Sequence, residues 1–134
     1  MNKHLPWLRV EVKPAKDMRY ATAGDYETKR EILADDIYYI AKLPLGWRAE
    51  LAVFVHEIVE YQLCKEAGIK EPAIMYFDTH EGKDSDDPGT MKSAPYREQH
   101  MIADKIDRYI VKTLGLDYKQ YDADFSKLKY TRRK

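Results

Sequence analysis

Leu51-Ala52-Val53-Phe54-Val55-His56-Glu57-Ile58-Val59-Glu60-Tyr61-Gln62-Leu63-Cys64 decides how this chain is read. The stretch has no Gly or Pro and sits inside a helical pattern from about Leu45 to Ala67, with Gly68 as its C-cap. Apart from the tyrosine hydroxyl, its polar side chains are His56, Glu57, Glu60 and Gln62. A helix apolar on nearly every face is normally buried. A carboxylate in such surroundings is costly unless it is paired, protonated or bound to a cation. The three ionisable groups therefore need an explanation.

Upstream, the character changes to strand. Trp7-Leu8-Arg9-Val10-Glu11-Val12 alternates and stops at Lys13-Pro14. A second strand is expected from Arg19 to Thr28, with Gly24 as a turn or bulge. A third covers Asp36 to Leu43, rich in β-formers and ended by Pro44. A short helix over Tyr26 to Asp35 competes with the hairpin reading. Downstream, an irregular segment from Ile69 to about Ala94 holds Pro72, Gly82, Pro88 and Gly89 and the acidic run Asp84-Ser85-Asp86-Asp87. Loops of that length are usually functional or disordered. A second helix is expected from about Pro95 to Leu114, ending at Gly115. The tail holds Tyr118, Tyr121 and Phe125, which are expected to pack on the core; from about 122 onward it is expected to fray, and Lys127 to Lys134 are basic. Together these elements predict an α+β fold: N-terminal antiparallel strands packed on two main helices.

The bounds agree with one domain over residues 1–134. A chain of 134 residues buries about two-thirds of its unfolded surface and needs no staple in order to fold. The single cysteine, Cys64, points to a reducing cytoplasm. No apolar run approaches the roughly 20 residues of a membrane span, and the opening MNKHLPW is not followed by a signal-like stretch. Lys plus Arg number 23, as do Asp plus Glu, so charge calls for neither a nucleic-acid nor a membrane partner.

The spacing of the polar residues in the central helix suggests a metal site. Residues four apart lie on one face, about 5–6 Å between Cβ atoms, so His56 and Glu60 can converge on one ion. Glu57 is rotated about 100° away. H-E-x-x-H helices have this layout: the ends ligate zinc and the inner Glu is the general base. Here a Glu replaces the second His. The plainer reading is a buried His–Glu hydrogen bond with Glu57 paired elsewhere. The second helix adds His100, on the stripe shared with Ala103, Asp107 and Ile110, more apolar than the side of Arg97, Lys105 and Arg108. Two imidazoles and one carboxylate match the His₂Glu zinc sites and also the facial triad of non-haem iron, so the set does not fix the metal. Zinc is the first expectation and another divalent transition metal the second.

At this point the chain resembles a family of small, uncharacterised zincin-like proteins from bacteria and their phages. The residues that carry the resemblance are His56 to Cys64 with Ala67-Gly68-Ile69, Phe77-Asp78, the Gly/Asp/Pro loop, Ala94-Pro95-Tyr96 and His100-x-x-Ala103. Leu114 to Tyr118 and Tyr121 complete it, from about Gly24 to Tyr121. The resemblance implies a metallopeptidase-like fold, with His56, Glu60 and His100 as ligands and Glu57 as candidate base. It brings no substrate, and Asp107 stands where Glu is expected.

Other candidates carry less. Asp78, His80 and Glu81 form a possible extra ligand cluster, led by Asp78, although a solvated loop is the simpler reading. Asp84-x-Asp86-x-x-Gly89 fails as a calcium loop, because Pro95 stands where the bidentate Glu is required. Cys64, one turn beyond Glu60, reads as a buried structural cysteine. The leading expectation is a metal-dependent hydrolase acting on an unknown substrate, with a peptide the first candidate, and activating water with Glu57 as base. The segment from Pro72 to Ala94 is expected to border the site, anchored by Tyr76-Phe77. One alternative is an all-α nucleotide pyrophosphohydrolase with magnesium on Glu57-x-x-Glu60 and Asp104-x-x-Asp107. Another is a non-enzymatic interaction protein with a structural metal.

Overall fold

The computed structural model describes residues 7–30 and 34–128. Three strands come first: β1 (Trp7–Lys13), β2 (Gly24–Arg30) and β3 (Ala34–Ala41). Four helices follow: α1 (Trp47–Glu66), α2 (Glu71–Thr79), α3 (Arg97–Thr113) and α4 (Tyr118–Phe125). The expected α+β architecture with two main helices is present. None of the helices is long and apolar enough to cross a membrane.

The sheet has the order β1-β3-β2. β2 runs antiparallel to β3, with Tyr26 opposite Tyr38, but β1 pairs with β3 in parallel, Val10 beside Tyr38. The sheet is therefore mixed, where antiparallel strands throughout were expected. Alternation of side chains reports which face a residue takes and says nothing of strand direction. Direction follows here from the connection through residues 14–23. It carries the chain past the end of β3, where Lys42 N donates to Lys13 O and Ala41 N to Ala23 O. Met18, Tyr20 and Ala21 in that connection are buried, so the residues from Arg19 to Ala23 are packed connection and β2 begins only at Gly24.

α1 lies across β2 and β3. The alternate β3 residues Tyr38 and Ile40 meet it, Tyr38 in a cluster with Tyr26, Tyr61 and Cys64, and Ile40 in one with Ala49, Ala52 and Val53. Ile37, Tyr39 and Ala41 face the other way, onto Met18. Leu8, Val10 and Val12 of β1 stay exposed. One side of α1 is buried through Ala49, Ala52, Val53, His56, Glu57, Glu60, Tyr61 and Cys64. The other side is not enclosed as its composition predicts: Trp47 and Leu51 are exposed and Val55 and Val59 half-buried. α3 packs along α1 and supplies Val111 to the same cluster as Ala49.

Two further elements differ from expectation. The segment from Ile69 to Ala94 is not irregular throughout, because α2 occupies its first half and places Pro72 in its first turn. A proline there gives up only an N–H that has no intrahelical partner anyway. The tail is helical over α4, with Tyr121 buried and Tyr118 and Phe125 packed against the Ile40–Val111 cluster. Helix over Tyr26 to Arg30 is excluded by β2. The rest of that stretch to residue 33, the opening six residues and the basic end from residue 129 lie outside the described residues.

Candidate metal centre

His56 and Glu60 project from the buried side of α1, one turn apart, and His100 meets them from α3. His56 Nε2 lies 3.5 Å from Glu60 Oε1 and 3.3 Å from His100 Nδ1. His100 Nδ1 lies 2.6 Å from the same Glu60 oxygen. One donor atom from each residue falls within 4.8 Å of the others, and all three residues are buried. The structure thus brings together the three residues that the sequence nominates as ligands.

The surroundings fix their orientation. Tyr26, from β2, donates its hydroxyl to Glu60 Oε2 at 2.7 Å and leaves Oε1 to face the imidazoles. The short helical turn Pro88–Thr90 presses Gly89 against the His100 ring: a Cβ there would lie 2.4 Å from Cγ. Asp87 Oδ1 approaches His100 Nε2 to 2.9 Å, but not in line for a hydrogen bond. Glu57 is buried beside the trio, its Oε2 3.9 Å from His56 Nε2, and packs on Gly24, where a Cβ would lie 2.6 Å from Glu57 Cδ. Glu57 is not within the three-residue ligand cluster. Glycine at positions 24 and 89 is therefore a requirement of close approach.

Electrostatics separate the two glutamates. Burial, then the charge on Glu60, pushes the Glu57 carboxyl up to about 8. Burial acts against ionisation of Glu60 too, but contacts with His100 and His56 outweigh it and hold that carboxyl down at about 2. For the imidazoles burial opposes the charged form. Asp107 and Glu60 overcome it at His56, which is raised well above its ordinary value. Asp87 and Glu60 do so at His100, raised to about 10. Without an ion the two imidazoles therefore hold their protons at neutral pH beside an ionised Glu60 and a protonated Glu57, and a metal ion would enter by displacing imidazole protons.

The trio opens on a cleft of about 840 Å³ bordered by residues 20–26, by Asp86 to Thr90, and by Tyr96. The loop expected to border the site does so through Asp86 to Thr90. Of its proposed anchors Phe77 is buried, whereas Tyr76 is exposed and stacks on His80. Asp78 belongs to no candidate ligand cluster among the described residues, and it does not lie in a solvated loop. It is buried on α2, where its carboxylate accepts hydrogen bonds from Tyr20 (2.8 Å) and Tyr96. His80 and Glu81 are exposed, and no candidate ligand cluster among the described residues includes either. Cys64 is fully buried in the tyrosine-rich core and belongs to no candidate ligand cluster among the described residues.

The sequence places Asp107 on the His100 stripe and Asp104 in an alternative magnesium motif, but it pairs neither with His56 and gives Tyr26 and Asp87 no part in the site. Asp107 is buried and takes a hydrogen bond from Tyr121 (3.0 Å), while its other oxygen lies 3.7 Å from His56 Nδ1. Asp104 and Asp107 stand four and seven positions after His100, the same-face spacing that brings them toward His56. Asp87 and Tyr26 carried no comparable signal. Compared with known protein families, curated proteins and solved structures, the chain matches none.

Proposed function

We propose that this chain is a zincin-like metalloprotein, a hydrolase centre in which His56, Glu60 and His100 hold one divalent transition ion, zinc foremost. The observation that carries this reading is the convergence of three buried donors, from α1 and α3, within 4.8 Å. The donors fit such an ion: two imidazole nitrogens and one carboxylate, with the open side toward the cleft. The ion would supply Lewis acidity there. Glu57 stands next to the trio without joining it; its carboxyl is raised by burial and by Glu60, and an ion held by the trio would draw it back toward the ionised form that a general base needs. The substrate class is a peptide, which the open cleft can admit. A lone, buried Cys64 fits a reducing cytoplasm.

The magnesium pyrophosphohydrolase reading needs a helical bundle, and the three-stranded sheet weighs against it. A purely structural ion is disfavoured by the cysteine-free, open-sided ligand set. The test is elemental analysis and zinc titration of the purified protein. One tightly bound ion per chain is expected; His56→Ala and His100→Ala should weaken binding by more than about tenfold, while Glu57→Gln keeps the ion and loses hydrolysis. A protein that neither carries nor binds zinc overturns the proposal.

A further inference from the structure

The trio uses only one side of the His56 ring. Nε2 faces Glu60 and His100, whereas Nδ1 points away, to Asp104 Oδ1 at 3.8 Å and Asp107 Oδ2 at 3.7 Å. Both separations are too long for hydrogen bonds. Nδ1 has no hydrogen-bond partner although His56 is only 7% exposed. A buried ring nitrogen aimed between two carboxylates and bonded to neither calls for something in the gap. Donor atoms that share a cation at ordinary ligand distances stand roughly 3–4 Å from one another, and these three lie within 4.8 Å.

The two clusters are built alike. Tyr26 occupies one oxygen of Glu60 and leaves the other for the imidazoles. Tyr121 occupies Oδ1 of Asp107 and leaves Oδ2 facing His56. Asp104, half-buried on the cleft wall, completes the outer set.

We propose that His56 Nδ1, Asp104 and Asp107 form a second cation seat, on the far side of the His56 ring from the first. Its donors are two carboxylates and one imidazole, an oxygen-rich set suited to a harder ion such as Mn²⁺, with water completing the sphere from the cleft. Ions held through opposite nitrogens of one ring lie further apart than the roughly 3.5–4 Å of ions that share a bridging oxygen. The outer ion therefore sets the charge around His56 and does not share the reacting atoms. Filling both seats requires the ring to release its N–H proton to solvent, so the second ion binds more weakly than the first. The seat stands independently of the hydrolase reading.

Titration of the metal-free protein with Zn²⁺, followed by Mn²⁺ titration of the singly loaded form under electron paramagnetic resonance, tests the seat. Two ions per chain are expected, the second at least about tenfold weaker than the first. Asp104→Asn should remove the weaker ion and leave the tight one. His100→Ala should remove the tight ion and leave the weaker, which the double variant then loses. Wild-type protein that saturates at one ion overturns the seat without recourse to any variant, as do two ions in Asp104→Asn or none in His100→Ala. Two ions in His100→Ala would support the outer seat and overturn the inner centre.

Discussion

At Gly89 the missing side chain is what gives His100 its place. A Cβ would sit 2.4 Å from Cγ and 2.6 Å from Nδ1 of the ring, closer than non-bonded atoms come, so the ring would have to turn and take its nitrogen away from Glu60. Gly89→Ala should therefore weaken ion binding by at least about tenfold with the helical circular dichroism unchanged; unchanged affinity would show that the ring is not seated by this turn. Gly24→Ala, which crowds Glu57, should leave affinity near wild type. Asp78 gives a prediction of a different kind. Burial pushes its carboxyl up to about 6 from an ordinary 3.8, against the opposing hydrogen bonds of Tyr96 and Tyr20. Below the ordinary value both folded and unfolded chains hold the proton. As pH rises from about 4 to 6 the unfolded chain ionises first, so stability falls, by on the order of 2–3 kcal/mol, and the loss is complete above 6. Asp78→Asn cannot titrate, and its denaturant-derived stability should lack that part of the decline; parallel curves for the two proteins would refute it.

Among the elements, the exposed stretch from Lys83 to Asp87 is the informative one. Buried glycines hold both its ends: Gly82 N donates to Phe77 O at 2.8 Å, and Gly89 lies on His100. Because Asp87 also approaches His100 Nε2, steadying that ring should steady the loop. Trypsin cleavage after Lys83 should slow severalfold on loading with zinc; an equal rate with and without the ion would detach the loop from the site. The elements also show what could be read in advance. α1 was legible because a His and a Glu one turn apart inside an apolar run have few explanations. α2 was not, because Pro72 and Gly82 read as breaks, although a proline in the first turn starts a helix as readily as it ends one. α4 is only eight residues long, too short for periodicity to stand out, and its aromatics showed as packing residues without showing helix. The parallel pairing of β1 left no trace in alternation, since both ladder directions place residues on the two faces in turn.

For the molecule as a whole, a formal net charge of zero hides how the carboxylates are distributed: many are buried, and tyrosines cap them. Tyr20 and Tyr96 donate to Asp78, Tyr26 to Glu60, Tyr39 to Glu27 and Tyr121 to Asp107. The sequence holds eleven tyrosines, but their pairing cannot be read from it, because the partners are far apart along the chain. Each such phenol is doubly reluctant to ionise: burial comes first, and the carboxylate beside it repels a second negative charge, so all five are raised above the ordinary tyrosine value. In the unfolded chain the same groups lose their protons near pH ~10. Stability conferred by the neutral phenols is thus intact at neutral pH and drains away as alkali passes that point. The protein should behave as an optical reporter of its own alkaline collapse: for these tyrosines, phenolate absorbance should rise together with the loss of helical signal, in one cooperative step. Phenolate that accumulates fully while the helices persist would mean that these hydroxyls are not tied to the carboxylates after all.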